Sequence, residues 1–233
     1  MKINTRIKAI TLDAAGTLIQ VARPIGECYA NFANEFEIPV TADQINRQFR
    51  ILFPRMMPLA FGQCNPAELG RQERQWWQTL VRNCLGTQGR HKNFSKFFEK
   101  TYNYYASAEA WRLFPEVISE LEKLHLLGLP VSMVSNFDSR LIGILQALGI
   151  HQYFRHIHIS SQCGFAKPHP GIFSLACEGL GTSPGNTLHI GDNYKLDIEG
   201  AEQAGLKALW LDRSAQSNRG QTIATLDNLS SQL

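Results

Sequence analysis

Long hydrophobic runs are missing from this sequence. No apolar stretch approaches the ~20 residues of a bilayer span, so no membrane segment is expected. Charge of one sign is also scarce. The 23 Lys and Arg residues against 20 Asp and Glu leave a formal net charge of +3, with no dense basic run. A nucleic-acid partner is therefore not expected. Paired cysteines are absent as well. The five cysteines, at 28, 64, 84, 163 and 177, are scattered and include no CxxC pair. That excludes a zinc ribbon or a disulfide framework and suggests a reducing compartment. Lys2, Arg6 and Lys8 precede an apolar run, but Asp13 breaks it too early for a signal peptide. The expectation is a soluble, cytoplasmic protein, with its oligomeric state left open.

What remains is an ordinary globular balance, 44% hydrophobic and 18% charged over 233 residues, enough to bury a sizeable core. Ile7–Leu12 reads as a short buried strand ending on a carboxylate, Asp13. Residues 23–108 then read as helical. Tyr29, Phe32, Ala33 and Phe36 recur at helical spacing, and a second pattern runs from Ala42 to Phe53 before Pro54 and Pro58. Asn65 before Pro66 is an N-cap followed by an N1 proline, opening a helix through Trp76, Trp77, Leu80 and Val81. A further helix is expected over 94–105.

Beyond Pro115 strand and helix alternate: helix 116–127, strand 130–135, helix 139–148, strand 156–160, helix 171–180, strand 187–190, helix 196–204 and strand 207–211. This predicts a doubly wound parallel α/β sheet. The economical architecture is one α/β core, residues 1–17 and 114–233, interrupted after its first strand by a helical insert over 18–113. The tail after Arg213, rich in Ser, Gln and Asn, reads as a loop and a last short helix.

In such a sheet, ligands collect beyond the carboxyl ends of the strands. The polar residues expected there are Asp13 after the first strand and Ser135, Asn136 and Asp138 in VSNFDSR after the second. Lys167 in FAKPHPGIF follows the third, and Asp192 and Asp197 in HIGDNYKLD follow the fourth. Several carboxylates together repel unless a cation joins them, and hard oxygen ligands select Mg²⁺. A hydroxyl and an ammonium facing a metal suit a phosphoryl group. Asn136 and Asp138 read more readily as loop braces or helix caps, His189 as a satisfied core histidine, and His169 as a residue lining the rim. His156 and His158 lack metal-site partners. Trp76 and Trp77, adjacent on a helix, cannot share one face, so one is expected in the core. Cys163 carries little expectation of redox chemistry.

The ordered set DAAGTL, VSN, KP and GDNYKLD resembles the haloacid dehalogenase superfamily of hydrolases. The resemblance covers nearly the whole chain and implies a Rossmann-like core with a helical cap. It implies Asp13 as a nucleophile forming an aspartyl-phosphate intermediate, with Ser135, Asn136 and Lys167 on the substrate side. It implies Mg²⁺ held by the Asp13 and Asp192 carboxylates and the Ala15 carbonyl. Thr17 would steady the loop, Gly16 would allow its turn, and Asp197 would orient Lys167 or a metal-bound water from behind. The implied substrate is a small phosphorylated metabolite.

Ala15 departs from the pattern. Most phosphatases of this superfamily carry there an aspartate that protonates the leaving oxygen and activates water, which a methyl group cannot do. Such acid–base catalysis is worth ~10²–10⁴-fold, so a weak phosphatase acting on good leaving groups is expected. Two further readings stay open. Phosphonoacetaldehyde hydrolases share the alanine and use an insert lysine for C–P cleavage; Lys92, Lys96 and Lys100 are the candidates here. A non-catalytic module binding phosphate and Mg²⁺ is the other. Haloacid dehalogenases lack the GD of the last motif, so GDNYKLD argues against that activity.

Overall fold

The computed structural model describes residues 7–216, 221–227 and 229–233. Lys2, Arg6 and part of the tail lie outside the described residues. Strands are β1 (Ala9–Leu12), β2 (Ile19–Val21), β3 (Trp111–Leu113), β4 (Val131–Ser135), β5 (His156–Ile159), β6 (Thr187–Gly191), β7 (Lys207–Leu211) and β8 (Thr222–Ile223). The longer helices are α1 (Ile25–Glu35), α2 (Ala42–Leu52), α3 (Pro66–Cys84), α4 (Phe94–Tyr104), α5 (Val117–Leu126) and α6 (Arg140–Ala147). Then come a single turn α7 (Ser160–Cys163), α8 (Pro170–Leu180), a π-helix over Tyr194–Glu199 and α9 (Gly200–Gln203).

The chain divides into two compact units. One comprises Met1–Gln20, Ala60–Gln63 and Leu113–Leu233; the other comprises Val21–Leu59 and Cys64–Arg112. The first is an α/β unit whose parallel sheet runs β5-β4-β1-β6-β7-β8. Counted in chain order within that sheet, this is 3-2-1-4-5-6, the doubly wound arrangement. β1 is buried along its whole length, as a central parallel strand covered on both faces must be. Helix α8 packs Ile172, Phe173, Ala176 and Cys177 against Val134, with Ala201 and Leu206 closing the same cluster. Residues 60–63 join this unit through the Phe61 N–H, which donates to the Ser161 carbonyl at 3.2 Å.

The second unit is helical. Its core gathers Tyr29, Ala33, Ile38, Ile45, Val81, Leu85, Phe94, Phe97 and Phe98. Asn65 caps α3 as expected, its Oδ1 accepting from the Glu68 N–H at 2.9 Å, a contact worth about 1 kcal/mol. Trp77 packs on the core of this unit, while Trp76 donates its indole N–H to the Met57 carbonyl. The two rings still meet edge-to-face at 5.0 Å.

Three elements differ from the sequence expectation. Two short strands, β2 and β3, pair with each other inside residues 18–113, where a helical insert is expected. The tail contributes a sixth strand, β8, two residues long and too short for a periodic signal; the Trp210 and Asp212 N–H groups donate to Gln221 and Ile223 across it. The helix expected over 196–204 is wound wide at its start. Asn193 Oδ1 accepts from the Leu196 N–H, and the Asn193 N–H donates to Asp197 Oδ2. That local bonding opens the first turn into a π-helix and turns the Asp197 carboxylate inward.

Candidate active site

The site is built by strand register. Leu12 pairs with Met133 on one side and Ile190 on the other. Asp13 therefore emerges from the centre of the sheet, its N–H donating to the Ile190 carbonyl at 3.0 Å. Ser135 ends β4, Asp192 follows β6, and both flank Asp13 at the carboxyl edge. Lys167 reaches the same point from the loop between α7 and α8. Its ammonium lies 2.6 Å from Asp13 Oδ1 and 2.5 Å from Asp197 Oδ1, with its side chain only 3% exposed.

Two glycines make this convergence possible. A Cβ on Gly191 would fall 2.2 Å from the Asp197 carboxyl carbon. One on Gly16 would fall 2.4 Å from Asp192 Oδ2, and Gly16 sits at φ +94°, where side chains are strained. Thr17 Oγ1 donates to Asp192 Oδ1 at 3.5 Å, a long contact. Asn136 grips the Lys167 backbone at both ends: its amide donates to the Lys167 carbonyl at 2.9 Å and accepts from the Lys167 N–H at 2.7 Å. Asn136 is thus a brace for the lysine loop. Asp138 turns away, accepting from the Arg140 N–H and guanidinium. The Ser135 hydroxyl has no hydrogen-bond partner among the described residues and stays available at the rim.

A buried polar line runs behind the site. Thr11 Oγ1 and His189 Nδ1 are 2.9 Å apart, and His189 Nε2 lies 3.2 Å from Asp197 Oδ1. Thr11 and His189 face each other in register on β1 and β6. His189 is a satisfied core histidine, as expected, but it also orients Asp197. That second role was missed; the signal for it was a polar pair in register on two mostly apolar central strands. Trp210 was also missed. Its indole N–H donates to the Asp192 carbonyl at 2.8 Å, and its ring meets Tyr194 edge-to-face. An aromatic near the end of a strand carries no sequence signal for such a contact. His169 accepts from the Gly171 N–H as the cap of α8 and stacks on Phe165. His156 and His158 have rings 6.1 Å apart and join no group of three ligand side chains among the described residues. Burial pushes the Cys163 thiol up, against redox reactivity.

The electrostatics show what the cluster requires. Burial raises the Asp13 carboxyl to about 6, with Lys167 pulling down and Asp197 and Asp192 pushing up. Burial would lower Lys167, but Asp13 and then Asp197 outweigh it, so the ammonium stays charged. Burial would raise Asp197, but Lys167 and then His189 hold it well below the usual carboxylate range. Burial keeps His189 low and neutral at neutral pH, against the pull of Asp197. Asp192 opens to solvent on its outer side, yet desolvation against the loop and then Asp197 raise its carboxyl.

One oxygen each from Asp13, Asp192 and Asp197 lie within 4.8 Å of one another. Asp197 is committed to Lys167, His189 and Asn193. Asp13 keeps Oδ2 free of Lys167, and the side-chain hydrogen bond to the Asp192 carboxylate is the long one from Thr17. The Ala15 carbonyl, on the same loop, takes no hydrogen bond from a described donor. Three carboxylates share one ammonium, and burial together with the two neighbouring acids raises the Asp13 carboxyl. A hard divalent cation fits this donor set, and Asp13, Asp192 and the Ala15 carbonyl are the groups that could hold one.

The chain is similar to known proteins over most of its length. Residues 7–205 match the family model described as haloacid dehalogenase-like hydrolase. Haloacid dehalogenase-like hydrolase domain-containing protein 3 of Danio rerio is 31% identical over 211 residues, covering 89% of this chain and 86% of the relative. Phosphoglycolate phosphatase of Escherichia coli is 26% identical, covering 88% and 81%. Among solved structures, the putative HAD-hydrolase YfnB from Bacillus subtilis, bound to magnesium, superposes with a TM-score of 0.67 at 20% identity, covering 97% of this chain and 98% of that one.

Proposed function

The chain belongs to the haloacid dehalogenase-like hydrolases, and we propose that within this family it is a Mg²⁺-dependent phosphatase of small phosphorylated molecules, limited to good leaving groups. One observation carries the reading: a buried carboxylate at the carboxyl end of β1, held by a buried lysine and flanked by two further acids. The magnesium bound to the structural neighbour and the phosphatase activity named for the Escherichia coli relative support it.

Asp13 attacks phosphorus through the carboxylate oxygen that Lys167 leaves free. The ester P–O bond breaks, and the leaving oxygen departs with its electron pair. Lys167 and the Ser135 hydroxyl then balance the charge on the phosphoryl oxygens. Asp13, Asp192 and the Ala15 carbonyl would hold Mg²⁺, which would supply positive charge against the charge developing on the phosphoryl group. Water attacks the phosphorus of the aspartyl phosphate and frees Asp13. Asp197 does no chemistry; with His189 behind it, it keeps Lys167 aimed.

Ala15 offers no proton to the leaving oxygen and no base to the water. Aryl and acyl phosphates depart without a proton; alkyl phosphates do not. The test is the ratio of alkyl to aryl kcat/KM in the native chain and in Ala15→Asp. The ratio is expected to be low in the native chain and to rise in the variant, by at most the ~10²–10⁴-fold available to acid–base catalysis. A native chain that hydrolyses both classes equally refutes this reading of Ala15.

Ala15 also favours a second reading, a module that binds phosphate and Mg²⁺ without turnover. Binding of both with no turnover of any ester identifies it. The C–P cleavage reading draws no support from the helical unit. Lys92, Lys96 and Lys100 are exposed, and Lys100 is paired with Glu35, whereas a Schiff-base lysine needs a desolvated setting.

A further inference from the structure

We infer that Arg213 is a positioning residue for the Asp13 reaction: one guanidinium fixes the loop that follows the nucleophile. The inference rests on the phosphatase reading for its catalytic consequence, but not for its geometry. After Asp13 the chain folds back within six residues. The Leu18 and Ile19 N–H groups both donate to the Ala14 carbonyl, and the Gly16 N–H donates to the Ile19 carbonyl. This turn spends its N–H groups internally and leaves the carbonyls of Gly16 and Thr17 to find donors elsewhere.

Arg213, just past β7, supplies both. Its Nε donates to the Gly16 carbonyl at 3.2 Å and its Nη2 to the Thr17 carbonyl at 2.7 Å. These two donors form one edge of the guanidinium fork. The far end, Nη1, lies 2.7 Å from Glu116 Oε1, and the plane covers the Phe114 ring at 3.5 Å. Glu116 also accepts from the Leu226 N–H at 3.4 Å, and the Phe114 N–H donates to the Leu18 carbonyl.

One planar group therefore joins the nucleophile loop, the start of the returning core chain and, through Glu116, the tail. Arginine spreads five donors along a rigid planar fork that reaches two carbonyls and a carboxylate at once; a lysine ammonium gathers its three donors at one point and cannot span them. The bonded carbonyls belong to Gly16, packed against the Asp192 carboxylate, and Thr17, which donates to it. A shift of this loop displaces the Asp13–Asp192 pair directly.

The test compares the full native chain with Arg213→Lys and Glu116→Gln, using three readouts. Amide exchange over residues 13–19 is expected to quicken at least 10-fold in Arg213→Lys, with β4 amides unchanged. The Mg²⁺ concentration at half-maximal thermal shift is expected to rise about 10–100-fold, the usual cost of losing a partner behind a metal ligand. For p-nitrophenyl phosphate, kcat is expected to fall more than KM changes. Glu116→Gln, which leaves Arg213 its two carbonyls, is expected to move each readout the same way by less. Native exchange and a native Mg²⁺ midpoint in Arg213→Lys overturn the inference. Should Arg213→Lys fail to fold, unchanged loop exchange in Glu116→Gln overturns it. A native chain with neither Mg²⁺ response nor turnover sinks the phosphatase reading and the catalytic role of Arg213 with it, while exchange still decides whether Arg213 holds the loop.

Discussion

Replacing Asp13 by Asn should stabilise the metal-free protein at neutral pH. The carboxyl is raised from 3.8 to about 6 in the folded state. Its contribution to stability is therefore fully present below pH ~4 and is lost as pH rises through about 6. The difference of about 2.2 units, at 1.36 kcal/mol each, makes the ionised carboxylate cost about 3 kcal/mol above that window. Asparagine mimics the protonated acid and still offers Lys167 an acceptor. At 2–4 °C per kcal/mol for a chain of this size, the ceiling on the gain is about 6–12 °C. Thermal unfolding of both proteins in EDTA, from pH 4 to pH 8, measures it. The gap should be near zero at pH 4 and reach its plateau above pH 7. Saturating Mg²⁺ should narrow it, because the native chain gains about 2.7 kcal/mol at a hundredfold excess over Kd and the variant has lost a charged ligand. A variant less stable than the native chain in EDTA at pH 8, or a gap indifferent to pH, refutes the electrostatic account.

Lys167→Met should act in the opposite direction. It leaves Asp13 and Asp197 buried without their cation, a loss of about 3–5 kcal/mol at pH 8 that shrinks toward pH 5 as Asp13 takes up a proton; thermal unfolding at the two pH values checks this. Gly16→Ala should abolish the Mg²⁺-induced thermal shift, since the new methyl falls on the Asp192 carboxylate, and the positive φ adds about 1–3 kcal/mol of strain. An undiminished Mg²⁺ response in that variant removes the Gly16 loop from the site.

Much of this molecule is legible in its sequence because the signals are local. Parallel strands buried on both faces read as short apolar runs, and β1, β4, β6 and β7 fall within two residues of their expected bounds. The polar residues at their ends were legible because each interrupts apolar texture: an acid ending Ile7–Leu12 has few reasons to be there except chemistry. What escaped was long-range. The β8 strand exists only because β7 offers it an edge. The wide turn at Tyr194 follows from Asn193 and Asp197 bonding to the local backbone, which periodicity cannot show. Trp210 and Arg213 lie 18 and 197 residues from the Asp192 and Gly16 carbonyls they hold. No spacing rule links them. Lys167 illustrates both sides. Its place in a loop carries no signal of burial, and only the fold shows it sealed between two aspartates.

The central claim, that Asp13 is the nucleophile, is tested most directly by trapping. With no base at Ala15 to activate water, an aspartyl phosphate formed from acetyl phosphate should persist long enough to be reduced by borohydride, converting residue 13 to homoserine. Peptide mass mapping should find homoserine at position 13 in the native chain with Mg²⁺, none when Mg²⁺ is replaced by EDTA, and none at any other aspartate. Turnover of acetyl phosphate with Asp13 left unmodified, and equal turnover by Asp13→Asn, would contradict the account.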